Sequence, residues 1–219
     1  MLQTIFSVRA APDRGGAGLR ELTWAAGRAP QNLTGDKTAK ARTGAHWERL
    51  GFQGADPATD LRDLGMFSLL QMLHLCSAQR LRKTKAIFEF ASEREEGTGG
   101  RGFPFALLCI SLSAIALEAL RCGSLVVECN RRGSVARPLN ELCLGMLLEF
   151  YAAWRGGGLS VAGGDYQTAI EHLRCRALRS PTALLAAARG KVHSPSNALA
   201  PTPSGRWDGG VKFSEIPDE

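Results

Sequence analysis

The 219 residues carry 27 Lys and Arg against 21 Asp and Glu, a net charge of +6, with 44% hydrophobic and 22% charged side chains. That length holds one domain of ~100–200 residues with tails, or two small ones, and excludes a large multidomain machine. With 25 glycines and 10 prolines, not all of the chain builds a core.

Residues 1–45 mix Gly, Arg, Ala and Thr without sustained apolar periodicity and read as a disordered N-terminal tail. They hold 7 basic and 3 acidic side chains, whereas 46–155 hold 13 and 12, and 156–219 hold 7 and 6. The basic excess thus lies mostly in the tail. A nucleic-acid binder clusters charge on its folded part, so no nucleic-acid partner is expected. The apolar start is too short for a secretory signal and lacks a positive n-region, which makes a cytoplasmic chain the default.

From His46 the character changes. Asp56 is a good N-cap residue and Pro57 suits the first helical position, so a helix is expected to begin there. Leu61, Leu64, Phe67, Leu70 and Leu73 recur every third residue, and Leu69, Met72, Leu75 and Cys76 widen the stripe into a broad buried face that Gly65 bends or breaks. A second helix with a basic side (Arg80, Arg82, Lys83, Lys85) runs to the acidic Glu93, Glu95 and Glu96, and a glycine loop follows. That face reads as solvated. Residues 103–117 carry no formal charge. As a helix they reach only ~22 Å, short of a ~30 Å hydrocarbon core, so a buried core helix is expected rather than a transmembrane span.

Arg137 and Pro138 open another helix, with Leu139, Leu142, Cys143, Met146, Leu147, Phe150, Tyr151 and Trp154 on one face. Three glycines at 156–158 stop it. Residues 156–219 then alternate short helical promise, at 167–178 and 182–189, with prolines, and read as a Gly/Pro/Ser-rich region with short helices at most. The expectation is an all-α domain over 46–155, between poorly structured tails.

Several chemistries are set aside on spacing. The six cysteines form no Cys-x-x-Cys pair, and His172 with Cys175 supplies two ligands where a structural zinc needs four, so no metal site is expected. Residues 97–102 lack the Lys and Ser/Thr of a phosphate loop. Histidines at 46, 74, 172 and 193 are too scattered to support a hydrolytic triad.

The densest constellation is 46–62. Gly51 and Gly54 let a loop fold back, Trp47 and Phe52 pin it to a core, Asp56 caps a helix, and Asp60 or Asp63 is placed to orient the Arg62 guanidinium by charge-assisted hydrogen bonds. Trp47, Leu50, Gly51, Phe52, Gln53, Gly54, Asp56, Pro57, Thr59, Asp60 and Arg62 together resemble the signature of the ELMO domain, with Gly65, Leu69, Leu70 and Leu73 following in kind. Phe103, Pro104 and Phe105, the run 116–121 and the run 128–132 carry the resemblance on, towards one branch of the ELMO domain-containing proteins.

What this resemblance implies is an all-helical module that activates small GTPases of the Arf and Arf-like group. Arg62 matches the signature arginine, with the implied role of an arginine finger supplied in trans. GTP and Mg²⁺ would belong to the partner, so the chain needs no cofactor of its own and is a regulator rather than an enzyme with its own substrate pocket. The resemblance also implies peripheral membrane or cytoskeletal association, including actin-rich cell projections.

The residues alone leave two alternatives open. Arg62 can be a structural arginine tied to Asp56, Asp60 or Asp63, within a non-catalytic interaction module or scaffold of small-GTPase and cytoskeletal signalling. Alternatively, the chain needs a partner to cover exposed apolar helix faces. It departs from the family pattern at Asp63, where glycine is usual, and in 1–45, which offers no counterpart to the usual preceding helix. The end after Trp154 reads as truncated or divergent.

Overall fold

The computed structural model describes Leu33 and residues 43–62, 64–77, 80–93, 102–157, 159, 161 and 163–190. Among these there are eight α-helices and no strand: α1 Ala45–Arg49, α2 Met66–Leu75, α3 Leu81–Ser92, α4 Phe105–Arg121, α5 Val126–Arg132, α6 Ala136–Gly157, α7 Asp165–Arg179 and α8 Thr182–Ala188. The fold is all-α, as the helical periodicity predicts.

The uncharged stretch forms the central helix. On α4, Phe105, Ala106, Leu108, Cys109, Leu112, Ile115, Ala116 and Ala119 are buried, and α2, α3, α6 and α7 pack around it. Its hydroxyls fold back on the helix, Ser113 Oγ donating to the Cys109 carbonyl at 2.7 Å, so they cost little in an apolar interior. No single helix among the described residues is long and apolar enough to cross a membrane.

On α6, Leu139, Leu142, Cys143, Met146, Leu147, Phe150 and Trp154 are buried, the face expected from their spacing. Phe150 stacks on Trp154 with ring centroids 5.0 Å apart, and Phe103 meets Phe150 edge-on at 5.0 Å. Such aromatic pairs add ~0.5–1.5 kcal/mol each beyond their buried area.

The packed helices continue past residue 155, and here the structure departs from the expectation of short helices at most. The 15-residue α7 buries Tyr166, Ala169, Leu173 and Ala177, and Tyr166 lies against Phe150 and Trp154. Its apolar stripe is narrow and half alanine, which makes it weak as a sequence signal although it fits a tight helix contact. Next, α8 buries Leu184 and Leu185 against α6. Gly145 makes that approach feasible, because a Cβ there would stand 2.0 Å from the Leu184 carbonyl oxygen.

Arg131 and Arg132 belong to an ion-pair network. Glu128 accepts from Arg131 (2.7 Å), Arg132 (3.1 Å) and Arg189 (2.9 Å), while Glu141 accepts from Arg132 and Arg189 at 2.7 Å each. The network joins α5, α6 and the residue after α8. At the other end of the chain, Leu33 is helical and buried at 1% exposure, although it falls in the stretch read as tail.

Candidate functional site

The segment from Gly44 to Gly65 is held by backbone and capping bonds rather than by a long helix. Trp47 and Phe52 are both buried and meet edge-on with centroids 5.4 Å apart, which pins the loop as their spacing suggested. The Leu50 carbonyl meets the first turn of α4, accepting from the Ala106 N–H at 2.9 Å and satisfying one of that helix's orphan donors. Gly51 sits at φ +92°, and a Cβ on it would lie 2.7 Å from the Phe105 nitrogen. A glycine is required there on both conformational and steric grounds.

Asp56 and Pro57 start a single 3₁₀ turn, Pro57–Thr59, not the α-helix expected from them. The Asp56 carboxylate accepts from Ala58 N–H at 3.0 Å, and the Thr59 hydroxyl donates to the Asp56 carbonyl at 2.9 Å. The chain then passes through Gly65, the N-cap residue of α2 at φ +54°, before regular α-helix begins at Met66. Gly65 is thus the break that the sequence suggested.

Asp60 does not pair with Arg62. Its Oδ2 accepts from the Gln53 backbone N–H at 2.8 Å, closing the loop over seven residues. The Gln53 side chain is exposed. Arg62 is also exposed, and its Nε donates to the Thr59 carbonyl at 2.8 Å. Among the described residues Arg62 makes no ion pair, and its two terminal nitrogens make no hydrogen bond. Asp63 lies outside the described residues, so its expected role in orienting the guanidinium does too. The sequence anticipated an arginine at a rigid loop; its backbone anchor, Thr59, was not foreseen, because a carbonyl acceptor leaves no trace in residue type.

A cavity of about 1290 Å³ borders the loop, lined by Leu33, Leu50, Gly51, Phe52, Gln53 and Phe88 and edged by Lys85 and Glu89. Arg62, Asp56 and Asp60 do not line it. Arg82, Lys83 and Lys85 of α3 are exposed, with Lys85 3.9 Å from Glu89, an ordinary solvated helix face.

The ELMO/CED-12 family model matches residues 15–162. The chain belongs to the ELMO/CED-12 family. It is 35% identical over 156 residues to mouse and to human ELMO domain-containing protein 3, covering 71% of this chain and 39% of each relative. ELMO domain-containing protein B of Dictyostelium discoideum is 28% identical over 118 residues, 54% of this chain and 39% of the relative. The chain therefore matches about two-fifths of the length of these curated relatives. No solved structure is a significant match. The ELMO match starts 31 residues before His46, in keeping with the burial of Leu33, and it contains the whole Arg62 loop.

The cysteines of this ELMO domain are free thiols. Burial pushes Cys76 and Cys143 up to about 12 and Cys109 well above its ordinary value, so these three are protonated core residues rather than nucleophiles. His172 is lowered by burial, and its Nδ1 has no hydrogen-bond partner among the described residues.

Proposed function

We propose that this chain activates GTP hydrolysis on a small GTPase of the Arf or Arf-like group, with Arg62 as the arginine finger acting in trans. One observation carries this reading beyond family membership. Arg62 is exposed, its Nε is held by the Thr59 carbonyl, and its outer nitrogens have no partner among the described residues. Anchoring at Nε limits rotation of the guanidinium plane while leaving its outer edge free to donate to a phosphate.

In that mechanism the partner holds the nucleotide and Mg²⁺, and Arg62 enters its site to stabilise charge developing on the γ-phosphoryl oxygens. An arginine finger contributes ~10³–10⁵ in rate where it operates. The capped loop supplies positioning: Asp60 fixes Gln53, Asp56 fixes the 3₁₀ turn, and the Leu50 carbonyl ties both to α4. The positive charge is thus presented on a braced loop rather than on a free tail.

The same Nε bond also favours a second reading, a non-catalytic interaction module in which Arg62 closes the loop. Two measurements separate them. Single-turnover hydrolysis by a panel of GTP-loaded Arf and Arf-like GTPases is run with wild type and Arg62→Lys, and thermal melting is compared for wild type and Arg62→Ala. A finger gives acceleration lost in Arg62→Lys with little change in melting; a structural arginine gives a lower melting temperature in Arg62→Ala and no acceleration by wild type.

A further inference from the structure

Arg131 and Arg132 end α5 and are followed by Gly133 and Ser134, so Ser134 has arginines three and two residues before it. Among the serines and threonines of the whole chain it alone has both. A protein kinase with an acidic substrate groove reads that pattern, because two planar guanidinium forks at fixed steps before the hydroxyl pair with carboxylates of the groove. The nearest imitation is Thr84, behind Arg82 and Lys83, but it is fully buried and donates its hydroxyl to the Leu75 carbonyl at 2.8 Å. Ser134 instead lies in the break between α5 and α6, half-buried, with Arg131 and Gly133 beside it exposed.

The same break holds a place for the product. Ser134 Oγ accepts from the Arg137 N–H at 3.3 Å, and the Ser134 N–H donates to the Cys129 carbonyl at 3.1 Å, which fixes the hydroxyl over the first turn of α6. The Arg137 side chain is exposed, and its guanidinium makes no ion pair or hydrogen bond among the described residues. Arg131, its side chain 58% exposed, and Arg132 are held by Glu128, the one acid between residues 121 and 140. Three arginines thus stand within three residues of the hydroxyl. We propose that Ser134 is a phosphorylation site for a Ser/Thr kinase with an acidic groove. Ser134 Oγ attacks the γ-phosphorus of ATP, the bridging P–O bond to the β-phosphate breaks, ADP leaves, and the hydroxyl proton passes to the catalytic base of the kinase. The last turn of α5 opens to let Arg131 and Arg132 enter the groove; α5 has seven residues, and a helix that short is held by packing rather than by its own hydrogen bonds. When the turn closes again, the dianion accepts from the Arg137 N–H and draws in the Arg137 guanidinium, a charge-assisted clamp where α6 begins. Arg62 takes no part in this step.

The test incubates the full chain with Mg-ATP and the catalytic subunit of cyclic-AMP-dependent protein kinase, an arginine-directed probe, and in parallel with an acid-directed casein kinase as control. Mass spectrometry locates the phosphate. Near-stoichiometric phosphate on Ser134 is expected from the first kinase and none from the second, with Thr84 unmodified in both. Arg131→Gln and Arg132→Gln are each expected to lower kcat/KM for Ser134 at least ~10-fold, since the groove loses a charged partner. A merely structural role of these arginines has the opposite sign: loosening α5 would expose Ser134 and speed its labelling. The phosphorylated chain is expected to melt ~2–4 °C above the unmodified one, and Arg137→Gln to remove that gain. A wild-type chain that melts cooperatively yet takes no phosphate, or takes it only on other hydroxyls, would overturn the site. Labelling of Ser134 at an equal or higher rate in both arginine variants would overturn the kinase class, and modification without a rise in melting temperature would overturn the clamp.

Discussion

Substituting Gly145 tests whether the helices after residue 155 belong to the folded domain. A Cβ at this position would stand 2.0 Å from the Leu184 carbonyl oxygen and 2.6 Å from its carbon, both backbone atoms that cannot rotate aside. Relief requires α8 to withdraw from α6 by more than ~1 Å, and a gap of that size already forfeits a quarter to a half of each dispersion contact. Gly145→Val adds two further methyl groups to the clash. Full detachment would expose Leu184 and Leu185, both buried, at ~1.5–3 kcal/mol each, offset by roughly half a kcal/mol from the better helix propensity of valine over glycine. The expected loss is therefore up to ~2.5–5.5 kcal/mol, a large share of the ~5–15 kcal/mol that holds a typical domain. Gly145→Ala should lose less, ~1–2 kcal/mol, because alanine gains ~1 kcal/mol of propensity against a smaller overlap. Urea unfolding reads the free energies, and amide hydrogen exchange reads whether α8 opens first. If Gly145→Val unfolds within ~0.5 kcal/mol of wild type with α8 equally protected, the placement of α8 on α6 is wrong.

Three further outcomes follow from the same geometry. Gly51→Ala should destabilise by ~2 kcal/mol or more in urea unfolding, because it combines φ +92° with a 2.7 Å approach to the Phe105 nitrogen; an unchanged midpoint would mean the loop does not dock on α4. Glu128 is held down to about 2, first by the Arg131 hydrogen bond and then by Arg189, against the opposing effect of burial. A depressed carboxylate contributes stability that is full above its unfolded pKa of ~4.3 and is lost as pH falls through about 2, so wild type should weaken across that window while Glu128→Gln, weaker at neutral pH, shows a flatter acid limb. Maleimide labelling of native protein at pH 7.5, read by mass spectrometry, should modify exposed Cys122 quickly and spare Cys76, Cys109 and Cys143; rapid labelling of any of those three would contradict the packing of α2, α4 and α6.

How much of this was legible in the sequence depends on the range of the signal. The faces of α4 and α6 were readable because each is a long local run in which apolar spacing alone settles which side is buried. The broad stripe of α2 was readable as well: Leu69, Met72, Leu75 and Cys76 are buried and Leu61, Phe67 and Leu73 pack against the core, and Leu70, at 42% exposure, is the member that faces out. Helix α5 was missed because Val126 and Val127 at its start point to solvent; Arg131 and Arg132 do pair with Glu128 at helical spacing, but the bonds of Arg132 to Glu141 and of Arg189 to both glutamates have no local spacing to betray them. Arg189 ends a stretch, 182–189, that read as a short helix at most, with nothing to tie it to α5 or α6. The Arg62 loop was readable as a motif, yet its internal wiring was not. Asp60 serves the Gln53 N–H and Arg62 takes a carbonyl, so opposite charges two residues apart were a poor guide to who bonds whom.

The central claim is that Arg62 acts on a partner's nucleotide rather than on its own loop. The most direct measurement is single-turnover GTP hydrolysis by an Arf-like GTPase under saturating activator, comparing wild type with Arg62→Lys, which keeps the charge and loses the planar fork. The account predicts clear acceleration by wild type and its loss, by at least ~100-fold, in Arg62→Lys at equal binding and equal melting temperature. Acceleration retained in full by Arg62→Lys would contradict it.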